Sequence, residues 1–313
     1  MQGCTENYTE INDHRICWFE WGVKQASEPV ILLVHATGFH ARCWDAVVAN
    51  LGDRHVIAVD MRGHGRSSKE GPFTWDWFGS DLTALIRSLD LEDIVGVGHS
   101  MGGHSVAQAA AALPDRFRRL VLVDPVIMSP EVYSQRERLH DAWLGEDGEH
   151  PVAKRRNHFK DPEEMILNFH NKASYGIWQE QVLRDYCVYG LLPDTENGQG
   201  FVLACPPKVE AAIYMGSSGR NIYDQIQTIQ VPVRILRAKE RTEDRKEMDF
   251  SLSPTWSGLA DCFARGEDIY LPDLTHFIPM QAPELTAQYI LQEPASSKTV
   301  DQVPDSPVTG SAS

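Results

Sequence analysis

The sequence predicts an α/β fold, in which a mostly parallel sheet carries helices on both faces. Four short, continuously apolar runs have the length and composition of strands buried on both faces. They lie at residues 30–34, 55–59, 94–97 and 120–123. Segments with helical patterns separate or follow them, at 41–51, 75–91 and 101–113. Strands and helices that alternate at this spacing are typical of parallel βαβ units.

The remaining elements bring the predicted sheet to eight strands. The pattern at residues 9–23 predicts two strands joined by a turn at Asn12-Asp13. An apolar run at 231–236 and a weaker one at 268–271 predict the last two strands, and 283–292 has the pattern of a closing helix.

Residues 126–225 interrupt this pattern. They contain helical patterns rich in aromatic and charged residues but no buried-strand run. We therefore predict an α/β core at 1–125 and 226–293 with a helical cap inserted at 126–225. The tail at 294–313 is rich in Ser, Pro, Thr and Val with few large apolar residues, a composition typical of disorder.

The bulk composition narrows the possible partners and location. The 313 residues carry 29 Lys and Arg against 44 Asp and Glu, a net charge of −15 that repels nucleic acid. No apolar stretch of about 18 residues predicts a membrane span. The six cysteines are scattered and include no Cys-x-x-Cys pair, which argues against a structural zinc site. The segment at 1–12 is polar, which argues against a signal peptide. We expect a cytoplasmic protein with reduced thiols; composition does not give its oligomeric state.

The most specific motif is Gly-His-Ser-Met-Gly-Gly at residues 98–103. It fits the Gly-x-Ser-x-Gly elbow, and it lies between a predicted buried strand and a helix of small residues. In this context the serine occupies a sharp, strained turn and its hydroxyl lies over the positive end of the helix. Ser100 is therefore the candidate nucleophile.

Three further segments occur in the order found in the α/β-hydrolase superfamily, which the chain resembles over residues 11–291. Residues 35–38 resemble the loop after the third strand, and 60–67 are similar to the Asp-x-Arg-Gly-x-Gly-x-Ser segment after the fourth. Residues 276–280 resemble the segment that carries the catalytic histidine. The resemblance implies an eight-stranded α/β-hydrolase sheet and a serine-nucleophile hydrolase with a helical cap, of esterase or lactonase type.

The same resemblance implies an oxyanion hole. In this family the two backbone N–H donors come from the residue after the nucleophile and from the loop after the third strand. These positions are Met101 and Thr37 here. Ala36 stands where the family usually has Gly, and its side chain is small enough for the loop to form.

His276 is the candidate base because it follows the last strand signal and comes last in the order Ser, acid, His. The other histidines near motifs have alternative interpretations. His35 and His64 occupy positions that usually support loops. His99 is the variable residue of the elbow and a possible pocket residue, and His40 and His104 could also lie near the site.

The acid has two candidate locations. The usual loop after the seventh strand has Ala238 and Arg241 where Gly and Asp are expected, which leaves Glu240, Glu243 and Asp244 as nearby candidates. The other location is the end of the sixth strand, where Asp124 follows directly. Some haloalkane dehalogenases and the zearalenone lactonases are similar in carrying their acid there. We favour Asp124, with Glu240 next.

These observations predict hydrolysis of a small, apolar carboxylic ester or lactone through an acyl-enzyme, with no metal and no organic cofactor. Hydrolysis of a carbon–carbon or amide bond by the same site, and a slow-turnover ligand receptor on a hydrolase fold, remain alternatives. Some aromatic residues of the predicted cap should line an apolar pocket. The basic cluster at 154–156 is interpreted as a solvated face.

Overall fold

The computed structural model describes residues 3–135, 144–145, 147–216, 221–240 and 250–293. Two of the candidate acids, Glu243 and Asp244, lie outside the described residues, as does the tail at 294–313. The predictions for them are therefore not addressed by the structure.

Eleven strands occur in the described residues. They are β1 (Thr5–Ile11), β2 (His14–Trp21), β3 (Val30–Val34), β4 (Val56–Val59), β5 (Ile94–His99), β6 (Phe117–Val123), β7 (His158–Phe159), β8 (Leu191–Pro193), β9 (Phe201–Leu203), β10 (Val233–Arg237) and β11 (Gly266–Tyr270). Eight of them form one sheet in the order β1-β2-β4-β3-β5-β6-β10-β11. Only the pairs β1–β2 and β2–β4 are antiparallel in this sheet. The predicted α/β fold with a mostly parallel, eight-stranded sheet is confirmed.

The described helices follow the strands. They are α1 (Asp45–Val48), α2 (Trp75–Ser88), α3 (Met101–Ala112), α4 (Pro130–Ser134), α5 (Pro162–His170), α6 (Glu180–Tyr189), α7 (Pro207–Gly216), α8 (Tyr223–Ile226), α9 (Ile278–Gln281) and α10 (Pro283–Leu291). The helix predicted at 41–51 is instead a 3₁₀ turn at Ala41–Trp44 followed by the single turn of α1. None of the described helices is both long and apolar enough to cross a membrane.

The central strands are apolar throughout because both faces of the sheet are covered. Along β3, Leu32 packs into the cluster that includes residues of α2, α3 and α8. The next residue, Leu33, packs into the cluster on the other face with residues of α1 and α10. Successive side chains of a strand point to opposite faces, so a strand covered on both sides gives a continuous apolar run rather than an alternating one.

The inserted segment is not purely helical. It contains a three-stranded antiparallel sheet in the order β7-β9-β8. The sequence predicts a helical insertion without a buried-strand run, and these three strands were not identified from it. These strands are two or three residues long and are not continuously buried, so they leave no apolar run to detect.

Candidate active site

Ser100 lies in a strained turn between β5 and α3. Its backbone has φ 57° and ψ −116°, a conformation that residues with a side chain rarely adopt. A Cβ atom at Gly98 would lie 2.3 Å from the Gly102 carbonyl oxygen, and one at Gly102 would lie 2.2 Å from the Val34 carbonyl oxygen. The turn therefore closes only because both flanking positions are glycine.

His276 lies in the loop between β11 and α9, where it is buried. Its Nε2 atom is 3.0 Å from the Ser100 hydroxyl oxygen. The His276 main chain is also held, because its carbonyl oxygen lies 2.8 Å from Nε2 of His99. The structure thus brings the candidate base to the candidate nucleophile within hydrogen-bond distance.

Asp124 follows β6 directly, and its carboxylate is fully buried beside His276. Oδ2 lies 2.7 Å from His276 Nδ1. Oδ1 accepts hydrogen bonds from the Ala238 N–H at 3.0 Å and from the Ser253 hydroxyl at 2.5 Å. Both carboxylate oxygens therefore face donors, which places the proton of His276 on Nδ1 and leaves Nε2 free to accept from Ser100.

Glu240, the second candidate acid, lies elsewhere. Its carboxylate pairs with Arg237 at 2.6 Å, and 55% of its side chain is exposed. Ser100 and Asp124 follow paired strands, with His99 opposite Val123 in the register, and so emerge at the same sheet edge. The geometry associates Asp124, not Glu240, with His276.

The loop that carries Thr37 is held by two buried histidines. His35 Nε2 accepts from the Met61 N–H, so its Nδ1–H donates to the Ala36 carbonyl at 2.7 Å. His64 Nε2 accepts from the Gly38 N–H at 3.0 Å. Burial lowers the pKa of both rings, which keeps them neutral and able to accept. Their predicted role as loop supports agrees with these contacts.

The backbone N–H groups of Thr37 and Met101 have no hydrogen-bond acceptor in the described parts of the chain. The Thr37 N–H points away from the Ala36 carbonyl because their shared peptide group is planar and trans. The Met101 N–H belongs to the first turn of α3, where intrahelical acceptors are missing. Thr37 lines the cavity that contains Ser100, and Met101 directly follows Ser100 in the chain.

Three of the remaining histidines lie near the site without reaching its cavity. His99 is fully buried and does not line it, contrary to the interpretation of His99 as a pocket residue. Its Nε2–H instead donates to the His276 carbonyl, and burial lowers its pKa well below the ordinary value. His40 contacts the Tyr186 carbonyl, and His104 contacts Gln108.

A cavity of about 150 Å³ opens over Ser100 and His276. The inserted segment contributes about half of its lining, and the core contributes the rest. The lining residues from the insertion are Val152, Arg155, Ser174, Tyr175, Tyr186, Glu210 and Tyr214.

Arg155 corrects the interpretation of residues 154–156 as a solvated face. Its neighbours Lys154 and Arg156 are exposed, but Arg155 points into the cavity and pairs with Glu210. Neither Arg155 nor Glu210 was singled out as a site residue from the sequence. The sequence of a basic cluster does not show which of its side chains points inward, because that direction is set by how the insertion packs on the core.

In the described ranges, no group of three or more His, Cys, Asp or Glu side chains is placed to hold a metal ion. All six cysteines are free thiols.

Comparison with known proteins identifies the class to which this architecture belongs. The model of the Alpha/beta hydrolase family matches residues 31–289. The chain belongs to that family.

Several similar proteins carry the name of a lipase, an esterase or a lactonase. The chain is 30% identical over 221 residues to 3-oxoadipate enol-lactonase 2 of Acinetobacter baylyi, across 68% of this chain and 71% of that protein. It is 38% identical over 97 residues to lipase LipV of Mycobacterium tuberculosis, but this match spans 31% of the chain and only 37% of the lipase. Matches to three uncharacterised mycobacterial proteins span 29% of their lengths.

Solved structures show the same fold. E-2-(acetamidomethylene)succinate hydrolase superposes with a TM-score of 0.70 over 92% of this chain and 98% of that chain, at 22% identity. The enol-lactonase from Burkholderia xenovorans LB400 superposes with a TM-score of 0.61 over 91% and 98%, at 20% identity. At these sequence identities, the similarity shows a shared fold and nothing more specific.

Proposed function

We propose that this protein is a serine hydrolase that cleaves a carboxylic ester or lactone through an acyl-enzyme. The observation that carries the proposal is the continuous hydrogen-bonded series from Asp124 through His276 to Ser100, of which His276 and Ser100 line a cavity. A nucleophile in contact with a base, and a base oriented by a buried acid, is the arrangement that activates a serine hydroxyl.

In the proposed mechanism, His276 Nε2 removes the Ser100 proton as the hydroxyl oxygen attacks the carbonyl carbon. The resulting oxyanion accepts hydrogen bonds from the Thr37 and Met101 N–H groups. Asp124 holds the His276 tautomer and stabilises the imidazolium. The imidazolium gives its proton to the leaving alcohol oxygen, and the acyl-enzyme forms. Water, deprotonated by His276, then attacks the acyl carbon. The His276 imidazolium returns this proton to the departing Ser100 oxygen, which releases the carboxylic acid and restores the free hydroxyl.

We also propose that residues 126–225 act as a cap over this site. Support comes from Val152, Tyr175 and Tyr214, which line the cavity from the insertion while Ser100 and His276 line it from the core. A cap of this kind excludes water and contributes the walls of the substrate pocket. The expected location remains cytoplasmic, in keeping with the free thiols.

Hydrolysis of p-nitrophenyl acetate, butyrate and octanoate by the wild type and by Ser100→Ala tests the proposal. We expect turnover that Ser100→Ala abolishes, and a decline with chain length because the cavity is small. Labelling of Ser100 by a fluorophosphonate, read by mass spectrometry, checks the nucleophile independently. Turnover that survives in Ser100→Ala would refute the mechanism. Labelling of Ser100 without ester turnover would favour the carbon–carbon, amide or receptor alternatives.

A further inference from the structure

An ion pair between Arg155 and Glu210 lies in the lining of the cavity that contains the candidate nucleophile. Arg155 follows a 3₁₀ turn at Pro151–Lys154, and its Nη1 donates to Glu210 Oε2 on α7 at 2.5 Å. The Glu210 side chain is 5% exposed and that of Arg155 is 23% exposed. Both residues line the same cavity as Ser100. Arg155 brings a positive charge to the cavity wall, and the Glu210 carboxylate compensates that charge.

The pair retains free hydrogen-bonding capacity on both partners. A guanidinium has five N–H donors, and Arg155 donates to Glu210 and, at 3.4 Å, to the Tyr186 hydroxyl. Glu210 Oε1 accepts no hydrogen bond from the described residues. It lies against Gly38, where a Cβ atom would come within 2.5 Å of it. The pair therefore offers a substrate both a donor and an acceptor at one place.

The cavity limits the size and character of what can bind there. A volume of about 150 Å³ is comparable to that of protein cavities that bind benzene. Aromatic rings form much of the wall, among them Tyr175, Tyr214, Phe250 and Phe277. These walls favour a compact group of about one ring.

We propose that the Arg155–Glu210 pair binds a hydroxyl group of a neutral, compact ester or lactone and selects hydroxylated substrates over anionic ones. A hydroxyl can donate to Glu210 Oε1 and accept from Arg155 at the same time. An anion would place a second negative charge beside Glu210, whose side chain is buried. A substrate without a polar group would leave the pair unsatisfied. The inference rests on the proposed hydrolase function, since it defines the substrate of that site.

The test compares 4-hydroxyphenyl, 4-methylphenyl and 4-carboxyphenyl acetate, which have nearly the same shape. Values of kcat/KM are divided by the rate of hydrolysis of each ester by hydroxide, which removes differences in leaving-group reactivity. We expect the wild type to prefer the hydroxyphenyl ester over the methylphenyl ester by about tenfold or more, with the carboxyphenyl ester poorest. A preference for the carboxyphenyl ester would overturn the inference.

Two variants distinguish the effect of the Glu210 charge from the effect of the hydrogen bonds that the Arg155–Glu210 pair offers to a substrate. Glu210→Gln removes the compensating charge, so the ratio of carboxyphenyl to hydroxyphenyl activity should rise. The double variant Arg155→Met/Glu210→Gln should lose the preference for hydroxyl over methyl. The matched control is Arg156→Met/Glu164→Gln, which removes the neighbouring exposed ion pair and should leave both ratios unchanged. A hydroxyl preference that survives in the Arg155/Glu210 double variant would contradict the assignment.

Calorimetry on Ser100→Ala distinguishes failure of the subsite from failure of the hydrolase proposal. This variant keeps the cavity and does not require turnover. Tighter binding of the hydroxyphenyl ester than of the methylphenyl ester supports the subsite, even if the wild type hydrolyses none of the three esters. Equal affinities for all three esters would overturn the subsite, even if the wild type hydrolyses them.

Discussion

The carboxylate of Asp124, at the end of β6, accepts a hydrogen bond from the backbone N–H of Ala238, at the end of β10, at 3.0 Å. Ala238 belongs to the loop that carries the acid in many members of the family that the sequence resembles. Here the N–H of that loop supports a carboxylate on the neighbouring strand. Together with the Ser253 hydroxyl, it holds Oδ1 so that Oδ2 faces His276.

Asp124→Asn should lower kcat for ester hydrolysis by about three to four orders of magnitude while preserving the fold. The amide is the same size, but its NH₂ group or its neutral oxygen cannot hold the His276 tautomer and stabilise the imidazolium as a carboxylate does. Steady-state kinetics with p-nitrophenyl acetate measures the loss. Glu240→Gln is the control, because that carboxylate is exposed and pairs with Arg237. A large loss in Glu240→Gln, with none in Asp124→Asn, would reverse the assignment of the acid.

His99 is expected to be a positioning residue for His276. Its Nε2–H donates to the His276 carbonyl, so His99→Leu should lower kcat about tenfold as the base loses this restraint. His99→Gln can still donate from a side-chain amide and should recover most of the loss. If Leu and Gln give the same kcat, the hydrogen bond does not position the base.

The sequence predicts the parts of this site that have a local pattern. Ser100 can be identified as the candidate nucleophile from the glycines around it, because only glycine permits the close backbone approaches at positions 98 and 102. The sheet is found because β3 to β6 are buried on both faces and so read as continuous apolar runs.

Features set by tertiary packing could not be predicted in this way. Arg155 and Glu210 meet across 55 residues of the insertion, and nothing in their local sequence distinguishes them from the exposed pair of Arg156 and Glu164. The strands of the insertion are two or three residues long, which is too short to show the alternation of apolar and polar residues that identifies a strand. The choice between Asp124 and Glu240 depends on which carboxylate reaches His276, a distance that sequence order does not fix.

Breaking the buried ion pair of Arg62 and Asp81 should cost far more unfolding free energy than breaking an exposed pair of the same geometry. Arg62 donates two hydrogen bonds to Asp81, at 2.8 and 2.7 Å, and both side chains are almost completely buried. Asp81→Asn leaves a buried guanidinium without its counter-charge and should cost about 3–5 kcal/mol of unfolding free energy. Urea denaturation measures this cost.

Arg118 and Asp93 provide the control, since they form the same two-bond contact at 2.7 and 2.6 Å on the surface. Asp93→Asn should cost less than about 1 kcal/mol, because water replaces the lost interaction. Equal costs for Asp81→Asn and Asp93→Asn would mean that burial does not set the energetics of these pairs.

Stability should decline in acid because five histidines of the described residues are buried in the folded protein with lowered pKa values. They are His35, His40, His64, His99 and His150. Desolvation is the main cause in each case. Below the ordinary histidine pKa of 6.5 the unfolded chain binds protons that the folded chain excludes, so stability is complete above that pH and is lost as the pH falls.

His40 allows one of these contributions to be isolated, since burial lowers its pKa to about 4. His40→Gln retains a donor for the Tyr186 carbonyl but cannot be protonated. Between pH 6.5 and about 4 it should reduce the acid-induced loss of unfolding free energy by about 3 kcal/mol. Urea denaturation at a series of pH values measures the slope, with exposed His170→Gln as the control. A slope that is the same in His40→Gln, His170→Gln and the wild type would show that His40 does not exclude protons in the folded state.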